Sequence, residues 1–367
     1  MPASSPLFRF PRRPPLCRSL LPLCHPLLGA VVGTLWALVL FSQSGCSIRT
    51  YALRATADAL SGTSGGLGTD DDPSLVRDAA PFGLKTMESL AASLPDHRPI
   101  RLALASGFAQ YSYAFVNQEA DRAEDKDIAQ ARALWLRARR LYLRARNYAL
   151  AGLEIAHPGS RAALLGGDRA AWQASLAKMT VADVPYLYWC AAAWGLAVST
   201  AKDDANLIGD LPAVDMVMQR AQALQPDYDD GAIFEFYVSF DAARSKQQGG
   251  GPERAREDLE RAQKLGKGYK LGSIVSYAEG VLIGEQKKAE FVQRLRKVVE
   301  TDVYSEEPAW KQQRLANIIA QQRAQWLLSR LSDLFAEYPA VSRGAAPTRR
   351  AGVGSDREIN AKTAAPS

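Results

Sequence analysis

The sequence predicts an all-α protein, an irregular solenoid of helix pairs, and three observations carry that prediction. Apolar residues recur at spacings of three and four among Ala, Leu, Arg, Gln and Glu, with no sustained alternation of Val, Ile and Thr. Proline and glycine fall where helices would begin, as at Asp72-Pro73 and Gly251-Pro252-Glu253. A small residue, a large apolar one four later and a small one three after that recur as Ala138/Tyr142/Ala145, Val214/Met218/Ala221 and Ala255/Leu259/Ala262, with Phe291/Leu295/Val298 as a looser copy. Each set shares one helix face, where the small residues let a neighbouring helix approach and the large one fills the gap.

From the N-terminus, residues 1–45 read as a lipoprotein-type signal. Arg9, Arg12, Arg13 and Arg18 precede an uncharged run from Leu27 to Phe41. Fifteen residues make a helix of about 22 Å, short for a bilayer span and suited to the apolar core of a secretory signal. Ser44-Gly45-Cys46 then resembles a lipobox, with Gln43 where Leu is usual, so Cys46 is the lipidation candidate. Ser47, in place of Asp, favours an outer-membrane address on the periplasmic side. Residues 46–70, with the Gly-rich stretch Ser61–Gly68, read as the lipidated cysteine and a flexible tether. Residues 71–341 form a single helical domain, and the polar Ala/Pro/Arg-rich tail 342–367 reads as disordered.

Within that domain Pro73 opens a helix that runs to about Leu94. First helices of pairs are predicted at Pro99–Asp121, Pro185–Ala201, Asp229–Arg244 and Lys270–Glu285, each followed by a copy of the small–large–small face. Ala221-Gln222-Ala223-Leu224-Gln225-Pro226 follows the end of a tetratricopeptide unit, so the stack is tetratricopeptide-like. Copies lie 41 and 36 residues apart (Ala221, Ala262, Val298), against about 34 for the regular repeat, and an insertion fits around 156–184. A helix over Pro308–Glu337 would cap the last pair.

Composition narrows the function. The net charge of +6 resides in the ends, +4 in residues 1–45 and +3 in 342–367, which leaves the body at −1 and argues against a nucleic-acid partner. Three histidines in 367 residues disfavour a zinc hydrolase or a haem protein. After signal cleavage Cys190, beside Trp189 and Ala191, is the remaining thiol and reads as a small buried hydrophobe. The chain has no Gly-Lys-Ser/Thr phosphate loop and no Gly-x-Ser-x-Gly elbow, and no strand leads into its Gly-rich stretch, so the reading is a protein without enzymatic activity or cofactor.

Two groups of residues are binding candidates. The helix over Ala129–Leu153 holds six arginines and no acid. With Ala138, Tyr142, Ala145 and Ala149 facing the core, Arg132, Arg139 and Arg146 run along one flank and Arg137, Arg140 and Arg144 along the other. These flanks suit either ion pairs within or between subunits, or the lining of an anion channel or partner face. Aromatic residues gather on the first helices: Phe108, Tyr111 and Phe115; Tyr186, Trp189 and Trp194; Phe236, Tyr237 and Phe240. They suit core packing or a groove for a peptide or apolar ligand, in which Glu235 and Glu279 would be acids.

Seven blocks in order resemble the TatT family, the T components associated with tripartite ATP-independent periplasmic (TRAP) transporters. They are Ser44-Gly45-Cys46-Ser47-Ile48; Asp71-Asp72-Pro73 through Arg77-Asp78-Ala79-Ala80-Pro81-Phe82; Gln110-Tyr111-Ser112-Tyr113-Ala114-Phe115-Val116; and Arg139 through Arg146. Tyr188-Trp189 with Trp194-Gly195, Asp229-Asp230-Gly231-Ala232, and Arg314-Leu315-Ala316-Asn317 with Arg323-Ala324 and Trp326-Leu327-Leu328 complete the set. The resemblance implies a bundle of cryptic tetratricopeptide-like pairs assembled as a homotrimer. It also implies partnership with the periplasmic substrate-binding P component and handling of a hydrophobic or carboxylate ligand. Tyr111, Phe115, Arg137, Arg140, Arg144, Tyr188, Trp189, Trp194 and Glu235 are the candidate ligand or partner contacts. The competing reading is a tetratricopeptide-like lipoprotein scaffold for envelope assembly.

Overall fold

The computed structural model describes residues 49–62, 68–166, 168–201 and 203–336, and these are helical with no strand among them. The signal segment 1–45, Cys46 and the tail 342–367 lie outside the described residues. Residues 49–62 form α1, inside the stretch expected to be a flexible tether. That helix is ordered by long-range contacts the local composition does not announce. Ala57 is fully buried and Leu53 packs beside it in a cluster with Leu84, Leu94, Ile100 and Leu104, while Arg54 pairs with Asp96 at 2.5 Å and Asp58 with His97 at 2.9 Å.

α2 spans Pro73–Ser93 and starts where Asp72 accepts hydrogen bonds from the Ser74 and Leu75 amides, with Pro73 at the first turn. α3 spans Arg98–Tyr111, passes into a π-helical segment Ser112–Asn117 and continues as α4, Gln118–Ala123. α5, Ile128–Ala156, is the longest helix and is capped by Asp127 through the Ala129 and Gln130 amides. The expected insertion holds two short helices, α6 Ser160–Gly166 and α7 Arg169–Leu176. α8, Val184–Ser199, is the apolar centre of the fold, with ten of its sixteen residues buried. α9 Ala205–Ile208 and α10 Leu211–Leu224 follow, then α11 Ala232–Ala242 and α12 Pro252–Leu265. α13 Gly272–Tyr277 runs into a second π-helical segment, Ala278–Leu282, and leads to α14, Lys288–Glu300. The expected capping helix over 308–337 is broken at Gln313 and Arg330 into α15 Pro308–Gln312, α16 Arg314–Leu328 and α17 Leu331–Leu334.

Helices pack chiefly on near neighbours in the chain: α3 on α5, α5 on α8, α8 on α10, α11 on α12 and α14 on α16. The small–large–small faces form these seams, and none of their twelve residues is more than 4% exposed. Cys190 lies in the same core, its thiol pushed up to about 12 by burial. α11 starts three residues later than expected because Asp229, Asp230 and Gly231 are all left-handed (φ 44°, 50° and 96°), a turn that cannot continue a right-handed helix. A Cβ at residue 231 would stand 3.0 Å from Leu265 Cβ and 3.2 Å from the Ala262 carbonyl, so glycine is required there on both counts.

Candidate ligand- and partner-binding surfaces

The arginine-rich helix α5 presents its two flanks differently. On one flank Arg139 donates to the Thr200 carbonyl and pairs with Asp203 at 2.6 Å, and Arg146 lies 4.9 Å from the centre of the Trp194 ring. These two arginines are intramolecular fasteners. The other flank opens on two cavities. The first, about 630 Å³, is lined by Arg140 and Arg144 together with Arg101, Asn147, Tyr148 and Arg161. The second, about 550 Å³, brings Arg137 together with Tyr111, Phe115, Arg77, Asp78 and Glu119. Thus five of the candidates divide between two neighbouring concavities of one helix face.

The second cavity is shaped by local backbone. Tyr111 ends α3 and Phe115 sits in the π-helical segment that follows, their ring centres 5.7 Å apart. The wider π turn displaces Phe115 from the α-helical register, as such segments do at binding sites. Opposite them Pro81 interrupts the hydrogen bonding of α2, which frees the Arg77 carbonyl at the cavity wall. Arg77 pairs with Asp78 at 3.2 Å, while the Arg137 side chain has no ion pair among the described residues. The cavity therefore offers two aromatic faces and the Arg137 guanidinium, with the Glu119 carboxylate in the same lining.

The other four candidates lie elsewhere. Trp194 is 1% exposed and its indole N–H donates to Asp210 at 2.9 Å, so it is part of the core. Trp189 is half-buried between two core clusters, and Tyr188 meets it edge-to-face and meets Tyr228 at a tilt, with centres 5.1 and 5.2 Å away. Glu235 is half-buried, 3.7 Å from the Lys270 ammonium. Burial pushes its carboxyl up to about 7, against the opposing pull of Lys270. Lys270 in turn binds the Asp229 carboxylate at 3.1 Å and its carbonyl, which clamps the left-handed turn.

Two polar clusters join residues that the sequence does not pair, and one of them places Glu279, expected as a groove acid, in an ion pair with Arg323. Asp183 is 1% exposed and receives the Thr180 amide and hydroxyl, His157 at 2.9 Å and Arg98. Burial raises its carboxyl, but these hydrogen bonds outweigh burial and hold it down at about 2. Arg323 on α16 is 7% exposed and joins Glu279 in the second π-helical segment to Asp121 on α4, the latter at 2.9 Å. Asp121 also accepts the Trp135 indole N–H at 2.8 Å and lies 3.3 Å from the Asn117 amide. Only the assembled fold brings these partners together, since they lie up to two hundred residues apart.

Residues 69–335 match the family described as TRAP transporter T-component. An uncharacterized protein of Treponema pallidum (strain Nichols) is 28% identical over 266 residues, which covers 72% of this chain and 81% of that one. The helical domain, from the start of α2 to the end of α17, falls inside the matched range, and the two cavities fall with it. The chain belongs to the T-component family of TRAP transporters, as an accessory component of transport.

Proposed function

We propose that this T component is a non-catalytic lipoprotein, acylated at Cys46 and held on the periplasmic side of the outer membrane, that docks the substrate-binding P component of its transporter. In this reading its helix pairs stack in tetratricopeptide-like fashion, and it handles an apolar or carboxylate ligand at the second cavity. The observation that carries the proposal is the convergence of Tyr111, Phe115 and unpaired Arg137 at one open concavity. Aromatic faces cover the apolar body of a ligand or a partner's side chain, and a guanidinium fixes a carboxylate in a bidentate geometry. Beside this cavity α2 exposes Leu75 and Phe82, at 60% and 79%, one above the other at a spacing of seven. An exposed apolar pair on one face supports a protein contact, with a partner or within a homotrimer.

The test is crosslinking of the acylated protein in its native envelope, followed by mass spectrometry of what it captures. A periplasmic substrate-binding protein should be the main partner, and Arg137→Glu with Phe115→Ala should remove it while leaving secretion intact. Capture of envelope-assembly proteins with no binding protein among them would favour the scaffold reading. Cys46→Ala should release the protein from membranes, and continued retention would argue for an uncleaved anchor instead.

A further inference from the structure

The first cavity differs in chemistry from the second. Four guanidinium groups converge on it from three helices: Arg101 from α3, Arg140 and Arg144 from α5, and Arg161 from α6. Tyr148 and Asn147 supply the remaining polar lining. One acid stands at its edge. Glu88 receives the Tyr148 hydroxyl at 2.8 Å and the Lys85 ammonium at 2.5 Å and lies 3.6 Å from Arg144, so its charge is already shared. Glu154, the other acid nearby, is used by the Gly159 and Arg161 backbone amides. Arg101 is held in place by the Ala91 carbonyl at 2.8 Å. The side chains of Arg140 and Arg161 make no ion pair or hydrogen bond among the described residues. The cavity therefore keeps an excess of positive charge, four guanidinium groups against the two carboxylates Glu88, beside Arg144, and Glu154, whose charge Arg161 stabilises.

Like charges gathered in one concavity repel each other, and an anion that bridges them removes that cost. A single carboxylate satisfies one guanidinium in a two-point contact. A phosphate carries one negative charge as a diester and about −1.5 to −2 as a monoester at neutral pH, and its tetrahedral oxygens diverge, so that it spans two or three arginines at once. We propose that Arg101, Arg140, Arg144 and Arg161 form a binding site for a phosphate oxyanion.

Its position suggests where such a group comes from. α1 and the cavity meet the same corner of the fold. Arg54 and Asp58 of α1 bind Asp96 and His97, and Arg101 reaches Ala91 near the end of α2 and Pro95 of the same turn. α1, the described helix that follows Cys46 in the chain, thus packs on the turn that Arg101 of the cavity also reaches. An acyl chain on that cysteine would hold the cavity against a phospholipid surface, where headgroup phosphates are the available anions. This lipid source rests on the anchor proposed above; the oxyanion chemistry does not.

The experiment uses the acylated protein purified in detergent and titrated calorimetrically with inorganic pyrophosphate, then with mixed micelles containing phosphatidylglycerol or phosphatidylcholine. Pyrophosphate should bind, and Arg140→Ala with Arg161→Ala should weaken it at least about tenfold, the equivalent of ~1.4 kcal/mol. Arg132→Ala, an exposed change elsewhere on α5, should leave binding unchanged. Phosphatidylglycerol competing with pyrophosphate where phosphatidylcholine does not would assign the site to anionic headgroups. Pyrophosphate binding without that competition would assign it to a soluble phosphate compound. Absence of binding, binding that survives the double substitution, or equal displacement by succinate would overturn the proposal.

Discussion

Asp183 and Glu235 are both carboxylates withdrawn from water, and their neighbours drive them in opposite directions. Three hydrogen-bonding partners hold Asp183 at about 2, below its unfolded value, so its contribution is complete above the ordinary carboxylate range and is lost as pH falls toward 2. Glu235 is raised by burial from 4.5 to about 7, so the folded chain holds a proton that the unfolded chain has released. Its contribution is present below 4.5 and is lost as pH rises to 7. Asp258, also pushed up to about 7 by burial and by Asp241, has the same sign. Glu235→Gln should therefore leave stability near pH 5 almost unchanged and raise it at pH 8 by about 1–3 kcal/mol. Thermal unfolding at both pH values checks this, and an equal shift at the two would remove titration of Glu235 as the cause. Sequence reading placed Glu235 on a helix, as it is on α11, but its burial and its Lys270 partner depend on the left-handed turn at Asp229–Gly231, for which only the Asp-Asp-Gly string gives a hint.

Among the elements, the close-packed face of α5 was readable in advance, and its tightest contact with α8 was not. The spacing of Ala138, Tyr142 and Ala145 foretold a helix in close approach, and those residues are fully buried. The closest point comes one turn beyond Ala149, at Gly152, where a Cβ would stand 2.3 Å from the Tyr186 ring. Tyr186 cannot retreat freely, because its hydroxyl donates to the Arg98 carbonyl at 3.0 Å and the Arg98 guanidinium lies 4.2 Å from its ring centre. Gly152→Ala gains helix propensity yet should destabilise the protein by about 1–3 kcal/mol through overpacking. Denaturant unfolding measures it, and a net gain in stability would show that the seam yields. The π-helical segments had no warning in the sequence. The first is met by α5 from outside, with the Ser112 hydroxyl donating to the Ala138 carbonyl at 3.1 Å, and periodicity within a single helix carries no trace of such a partner. The same limit explains α1, whose Gly- and Ser-bounded sequence reads as a tether until its contacts with Leu84 and Ile100 are formed.

Across the whole molecule, the C-terminal helices return to the N-terminal ones. α16 packs against α2, Arg323 links Glu279 to Asp121, and Arg330 pairs with Asp125 at 2.9 Å across 205 residues of chain. A stack held only by neighbouring contacts has ends that open independently, whereas these ion pairs couple the ends. Arg323 is the decisive member, since it is buried and its two carboxylate partners come from the two halves. Arg323→Ala leaves both acids without their cation and should cost about 3 kcal/mol. Arg323→Met combined with Asp121→Asn and Glu279→Gln removes the charges together and should cost less, because no unpaired charge is left behind. Hydrogen exchange separates the coupling from simple destabilisation. In the single variant protection should fall at residues 112–123 and 278–282 together, although they belong to opposite ends, while the α5–α8 seam exchanges as before. If only one of the two segments loosens, the ends are independent and the bridge is a local fastener.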